Sequence, residues 1–66
     1  MNFISANGTV ARNSYGDFFV IGQMVHHEDT DAGTATIKSF KPNVEKNEVE
    51  VYTDKGMAHL DFIVKL

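Results

Sequence analysis

The chain has 66 residues, 42% of them hydrophobic and 23% charged, and nine acids against six bases leave a net charge of −3. A chain of this length holds one domain at most and buries only about 60% of the surface its unfolded form exposes, so its core is small. The absence of cysteine excludes disulfides, thiolate metal sites and thiol catalysis, and the acidic balance argues against a protein that relies on phosphate contacts.

In chain order, Phe3-Ile4-Ser5-Ala6 and Thr9-Val10-Ala11 flank Asn7-Gly8. That pattern predicts strands over 2–6 and 9–13 joined by a type I′ turn, which needs a positive φ at both central residues. Asn13-Ser14-Tyr15-Gly16-Asp17 is turn chemistry. Phe18-Phe19-Val20-Ile21 is aromatic and β-branched, Gly22-Gln23 interrupts it, and Met24-Val25-His26-His27 resumes the strand character. Residues 28–33 (E-D-T-D-A-G) read as a polar, acidic loop, and 34–40 as a strand. Residues 41–47 read as a loop, with Pro42 barring a sheet interior.

Residues 48–53 alternate: Val49, Val51 and Thr53 face one way, and Glu48, Glu50 and Tyr52 the other. Asp54-Lys55-Gly56 predicts a tight turn, 57–60 a strand, 61–63 a short turn or 3₁₀ step, and 64–66 a final strand. No stretch holds helical periodicity, and turn signals about every eight to twelve residues mark an all-β domain. The expected core is Val20, Val25, Ile37, Val49, Val51, Leu60 and Ile63, with Phe19 and Phe40 at its ends. Ile37 and Phe40 have opposite parity, so either a bulge near Ser39 re-aims the strand or Phe40 covers an open end of the fold.

From Phe18 to Leu66 the chain resembles an SH3-like (Src-homology-3-like) small β-barrel of the KOW and Tudor type. The resemblance rests on Phe19-x-x-Gly22-Gln23-x-Val25-x-His27, Gly33-Thr34-Ala35-Thr36-Ile37-x-Ser39-Phe40, Glu48-Val49-x-Val51, Asp54-x-Gly56 and Leu60-x-x-Ile63-x-x-Leu66. It is similar to the Tudor-like C-terminal domains of DNA helicases and to RNA-polymerase-interacting modules of transcription–repair coupling factors. The phrasing of residues 27–31 and 54–62 also looks like short proteins of phage and mobile elements. The expectation is therefore a single domain over 1–66. It comprises an all-β, five- to six-stranded, partly open SH3-like barrel over 18–66 and an N-terminal β-hairpin over 1–15, which packs on the barrel or pairs with a second copy.

The residues point to a non-enzymatic interaction module with no cofactor and a protein partner. The resemblance implies that such a partner belongs to nucleic-acid metabolism, and a phage-type accessory protein fits the same reading. Phe3, Ile4, Phe18 and Phe19 are the candidate protein interface, because the N-terminal third carries more apolar side chains than one wall of a short barrel can hide. The alternative is direct RNA or DNA binding by Lys38, Lys41, Lys46 and Tyr52 along one hairpin. Against it, cross-strand pairing of Lys38 or Lys41 with Glu48 or Glu50 is the simpler use of the charges. A third reading is a metal-dependent enzyme centred on His27, Glu28, Asp31 and His59, with His59 arriving from a neighbouring strand. His26 and His27 cannot chelate as a pair, because adjacent strand residues point to opposite faces. His59 and Asp61 fall at i, i+2 and read as an edge-strand polar pair rather than as part of a triad. No apolar run approaches the roughly 20 residues of a membrane span, and no leader pattern opens the chain, so a cytoplasmic protein is expected.

Overall fold

In the computed structural model, which describes residues 1–27 and 33–66, the chain is all-β. The strands in order are β1 (Phe3–Ile4), β2 (Val10–Arg12), β3 (Phe18–Val20), β4 (Met24–His27), β5 (Thr34–Asn43), β6 (Glu48–Thr53), β7 (Gly56–His59) and β8 (Ile63–Lys65). A 3₁₀ turn over Leu60–Phe62 leads from β7 into β8. Two sheets form: a three-stranded one in the order β1-β2-β3, and a five-stranded one in the order β7-β6-β5-β4-β8. The five-stranded sheet is open, because β7 and β8 lie at its two ends without pairing. The N-terminal hairpin thus gains a third strand, β3, which pairs with β2 through Ala11↔Phe19 and Arg12↔Phe18.

The first turn departs from the type I′ expectation. The closing backbone bond runs from Ser5 N–H to the Val10 carbonyl (2.8 Å), so four residues form the loop. Gly8 is left-handed at φ 73°, and Asn7 is not. Asn7 acts instead through its side chain: Oδ1 accepts from the Ser5 hydroxyl (2.7 Å), the Thr9 hydroxyl (2.8 Å) and Thr9 N–H (3.3 Å). Longer hairpin loops of this kind are usually built on a type I turn followed by a left-handed glycine. Between β3 and β4, Gln23 N–H donates to the Val20 carbonyl with Gly22 at φ 90°, the arrangement of a type II turn.

The strand β5 resolves the parity problem of Ile37 and Phe40. It pairs with β4 through its first three residues and with β6 from Ile37 onward. The register shifts between Ile37↔Thr53 and Ser39↔Tyr52, so Lys38 is the extra residue of a bulge. Both Ile37 and Phe40 are consequently buried.

Beyond the bulge, β5 continues through Lys41 and Pro42 to Asn43, where a loop was expected. Pro42 is tolerated for a specific reason. It lies opposite Val49, and Val49 N–H donates to Asn2 Oδ1 (3.1 Å) rather than toward β5. The Pro42–Val49 pair is therefore a non-hydrogen-bonded one, and the missing proline N–H faces the edge of β5 that β4 no longer covers.

The core lies between the sheets and joins Ala11 and Phe19 of the first to Val25, Ile37, Phe40, Val49, Val51, Leu60 and Ile63. Ile4 and Ala58 pack against it. Val20 was expected there and is 45% exposed. Its neighbour Phe19 takes the inward position, and adjacent strand residues cannot share a face. Ala11 is a core residue that its small size concealed. No helix among the described residues is long and apolar enough to cross a membrane.

Candidate functional site

The register of the three-stranded sheet sorts its side chains into two rows. Ile4, Ala11 and Phe19 are paired across the strands and face the core. Phe3, Arg12 and Phe18 form the adjacent row and face outward. Phe3 is 49% exposed and Phe18 52%, and Val20 stands beside them opposite Val10. The Arg12 guanidinium lies between the two rings, its Cζ 5.6 Å from the Phe3 centroid and 5.9 Å from that of Phe18. Each such contact contributes about 0.5–1 kcal/mol at an exposed site. Of the expected interface residues, Phe3 and Phe18 are thus at the surface, Ile4 is half-buried, and Phe19, 1% exposed, belongs to the core. Lys65 Nζ, from β8, lies over the Phe19 ring, 5.6 Å from its centroid. Sequence reasoning passed over Arg12. The register of the hairpin, which places it directly opposite Phe3, was the signal that pointed to it.

A polar cluster ties this sheet to the rest of the chain. The Asp61 carboxylate, at the 3₁₀ turn, accepts Ser14 N–H (2.9 Å), the Ser14 hydroxyl (2.8 Å) and the Asn2 amide (2.8 Å). Burial pushes the Asp61 carboxyl up, but these hydrogen bonds outweigh it and hold it below the usual carboxylate range. Asp61 is therefore committed to Asn2 and Ser14, and the expected i, i+2 pairing with His59 does not form. A groove of about 400 Å³ opens beside this cluster, lined by Asn13, Tyr15, Asp17, Asp61, Ile63, Val64 and Lys65. The buried Asn13 shapes its rim, since its Oδ1 accepts from Tyr15 N–H (3.0 Å) and Asp17 N–H (2.9 Å).

The lysine edge is interleaved with acids. Lys38 is the exposed bulge residue, Lys41 stands directly opposite Glu50, and Lys46 is exposed in the loop between β5 and β6. The Tyr52 hydroxyl donates to Glu50 Oε1 (3.1 Å), and that hydrogen bond, more than burial or the Glu50 charge, raises the phenol above its usual range. The Asn43 amide donates to the other Glu50 oxygen (3.1 Å). Glu50 thus occupies the centre of the surface where a phosphate backbone would have to run.

Of the residues of the metal reading, the two described ones, His27 and His59, are not brought together. Glu28 and Asp31 lie outside the described residues. His27 is buried on β4, and His59 lies on β7, with β5 and β6 between the two strands. The neighbours of β4 are β5 and β8, so His59 does not come from an adjacent strand. His27 Nε2 lies 3.3 Å from Thr53 Oγ1, and the Thr53 hydroxyl itself donates to the Gly56 carbonyl (2.8 Å). Thr53 is therefore the acceptor, and the Nε2 proton of His27 is held by it. The ring nitrogen Nδ1 of His59 faces Glu48 Oε2 at 2.7 Å, and both atoms are shielded from solvent with no other partner among the described residues. Its ring meets Phe62 edge-on at 5.7 Å. His26 Nδ1–H donates to the Gly33 carbonyl at 3.1 Å. No group of three or more histidines and acids among the described residues is placed to hold a metal ion.

No protein-family model matches the chain, no curated protein matches its sequence, and no solved structure matches its fold.

Proposed function

We propose that the chain is a non-enzymatic protein-binding module, built as a small SH3-like barrel with a three-stranded sheet laid against it. Two features support the barrel part of this reading. Strands β4 to β7 run as an antiparallel meander, and β8 returns after a 3₁₀ turn to pair with β4 through Val25↔Lys65 and His27↔Ile63. The resemblance implies the chain order of these pieces, a glycine-initiated strand, a long β-hairpin and a final Leu60-x-x-Ile63 segment, and the return of β8 to β4 supports reading them as a barrel. The partner it implies is a protein of nucleic-acid metabolism, and a phage-type accessory role fits the same chemistry.

The observation that carries the binding reading is the outer row Phe3–Arg12–Phe18. Two half-exposed phenyl rings and Val20 flank a cation on one sheet face, while the opposite face of the same strands fills the core. Aromatic residues and arginine dominate the energetics of protein interfaces. The test is quantitative capture from host extract by the wild-type chain and by a Phe3→Ser/Phe18→Ser variant, with a Lys38→Glu/Lys41→Glu variant alongside. A specific partner is expected to be lost with the phenylalanines and kept with the lysine reversals. Equal capture by the wild type and the phenylalanine variant overturns the assignment. Loss only on lysine reversal, in a nuclease-sensitive manner, moves the function to nucleic acid.

A further inference from the structure

We infer that the Phe3–Arg12–Phe18 row recognises a carboxylate, and that its occupant is a protein segment presenting one Asp or Glu amid apolar side chains. The inference rests on the protein-binding reading and specifies the chemistry of the partner. The three strands of the first sheet contain no acid, and Arg12 is their one charged residue. Among the described residues Arg12 meets no carboxylate, whereas its two ring contacts fix the guanidinium from both sides. Asp17, the acid nearest to it in sequence, lines the groove with the inward-facing Asn13 and Asp61.

A guanidinium held between rings keeps its donor edge free and has lost little further freedom to give up on pairing. It presents a planar fork that matches a carboxylate in a bidentate manner. The apolar surround excludes water from such a pair and demands apolar neighbours on the partner. One cation is too few for a nucleic-acid backbone, whose binding grows with the number of phosphates neutralised. The ring faces that a base would stack on are already turned to Arg12. A symmetric second copy with this row on its two-fold axis would bring two guanidinium groups together.

The probe is a random dodecapeptide library selected on the wild-type chain and counter-selected on the Phe3→Ser/Phe18→Ser variant. The survivors are expected to share one acid between apolar residues. Their affinity should fall at least tenfold with Arg12→Gln, and by a similar factor when the peptide acid is changed to its amide. The two changes together should cost no more than either alone. Arg12→Lys, which keeps the charge but not the fork, should give an intermediate loss, and the backbone amide spectrum of each variant establishes that it is folded. Survivors that lack an acid, or that ignore Arg12→Gln, overturn the carboxylate inference while the docking face stands. If no peptide distinguishes wild type from the phenylalanine variant, both readings fall. Self-association abolished by Phe3→Ser/Phe18→Ser, or retention on anionic phospholipid vesicles through this row, assigns the face to another occupant and likewise overturns the inference.

Discussion

Asp61 grips Ser14 with both carboxylate oxygens, taking its backbone N–H at Oδ1 and its hydroxyl at Oδ2 across 47 positions of sequence. Asn2 joins the same carboxylate and uses its other side-chain atom to accept Val49 N–H. The outer row of the first sheet is therefore presented on a platform fastened to the 3₁₀ turn and to β6. The rigidity of the candidate docking face depends on side chains that do not touch it.

Removing the Asp61 charge should loosen this platform and change the acid response. The folded carboxyl lies below its ordinary range, so it binds a proton more weakly folded than unfolded. Its stabilisation is whole above the unfolded value of about 3.9 and is lost as pH falls through the lower folded value. Asp61→Asn is expected to lower stability at neutral pH by about 1–2 kcal/mol and to flatten the stability profile below pH ~4. Ser14→Ala, which keeps the backbone donor, should cost less. Urea unfolding at several pH values measures both.

Asn2 takes the place that a further strand would occupy beside Val49. Asn2→Ala leaves Val49 N–H without its acceptor and should cost about 1–3 kcal/mol. Hydrogen exchange should quicken at Val49 well before it does at the β4–β5 amides. Equal protection at Val49 in both proteins would show that the Asn2 side chain is not what shields this amide.

Lys38 matters as a position and not as a side chain. Lys38→Ala should change stability by less than about 0.5 kcal/mol, as exposed substitutions usually do. Deleting Lys38 removes the bulge, and a one-residue slip sends Phe40 to the outer face if Ile37 stays inside. The deletion variant is expected not to fold, as read by amide dispersion.

Thr53 is the hinge of three contacts: it accepts from His27 and from Lys55 N–H and donates to the Gly56 carbonyl. Thr53→Val keeps the shape and removes all three. It should destabilise by about 1–3 kcal/mol, because the buried imidazole loses its acceptor. Thermal melting checks this, and His27→Leu in the Thr53→Val background should restore part of the loss.

Much of the fold was legible because strands have a period of two. The alternation of 48–53 predicted its buried valines, and the parity clash of Ile37 with Phe40 called for either a bulge or a cap over an open end, of which the register shift is the bulge. The candidate site was legible only in part. Phe3 and Phe18 stood out as surplus apolar residues, but Phe19 was offered both as interface and as an end of the core, and Val20 as core; Phe19 is buried and Val20 is 45% exposed. Composition counts apolar residues without saying which face each takes. Pro42 misled for a related reason: a proline is excluded only where its partner requires a donor, and Val49 does not.

The sequence by itself determined an all-β chain, the positions of most of its turns and the residue types of its core, because hydrophobic period and turn chemistry are local properties. Only the tertiary structure decided that β3 leaves the second sheet to pair with β2, that Asn2 and Ser14 meet at Asp61, and that Arg12 comes to rest between Phe3 and Phe18. Each of these depends on strand partners and register across a distance in sequence. Local propensity carries no record of them, since the energy that selects them comes from packing the whole chain at once.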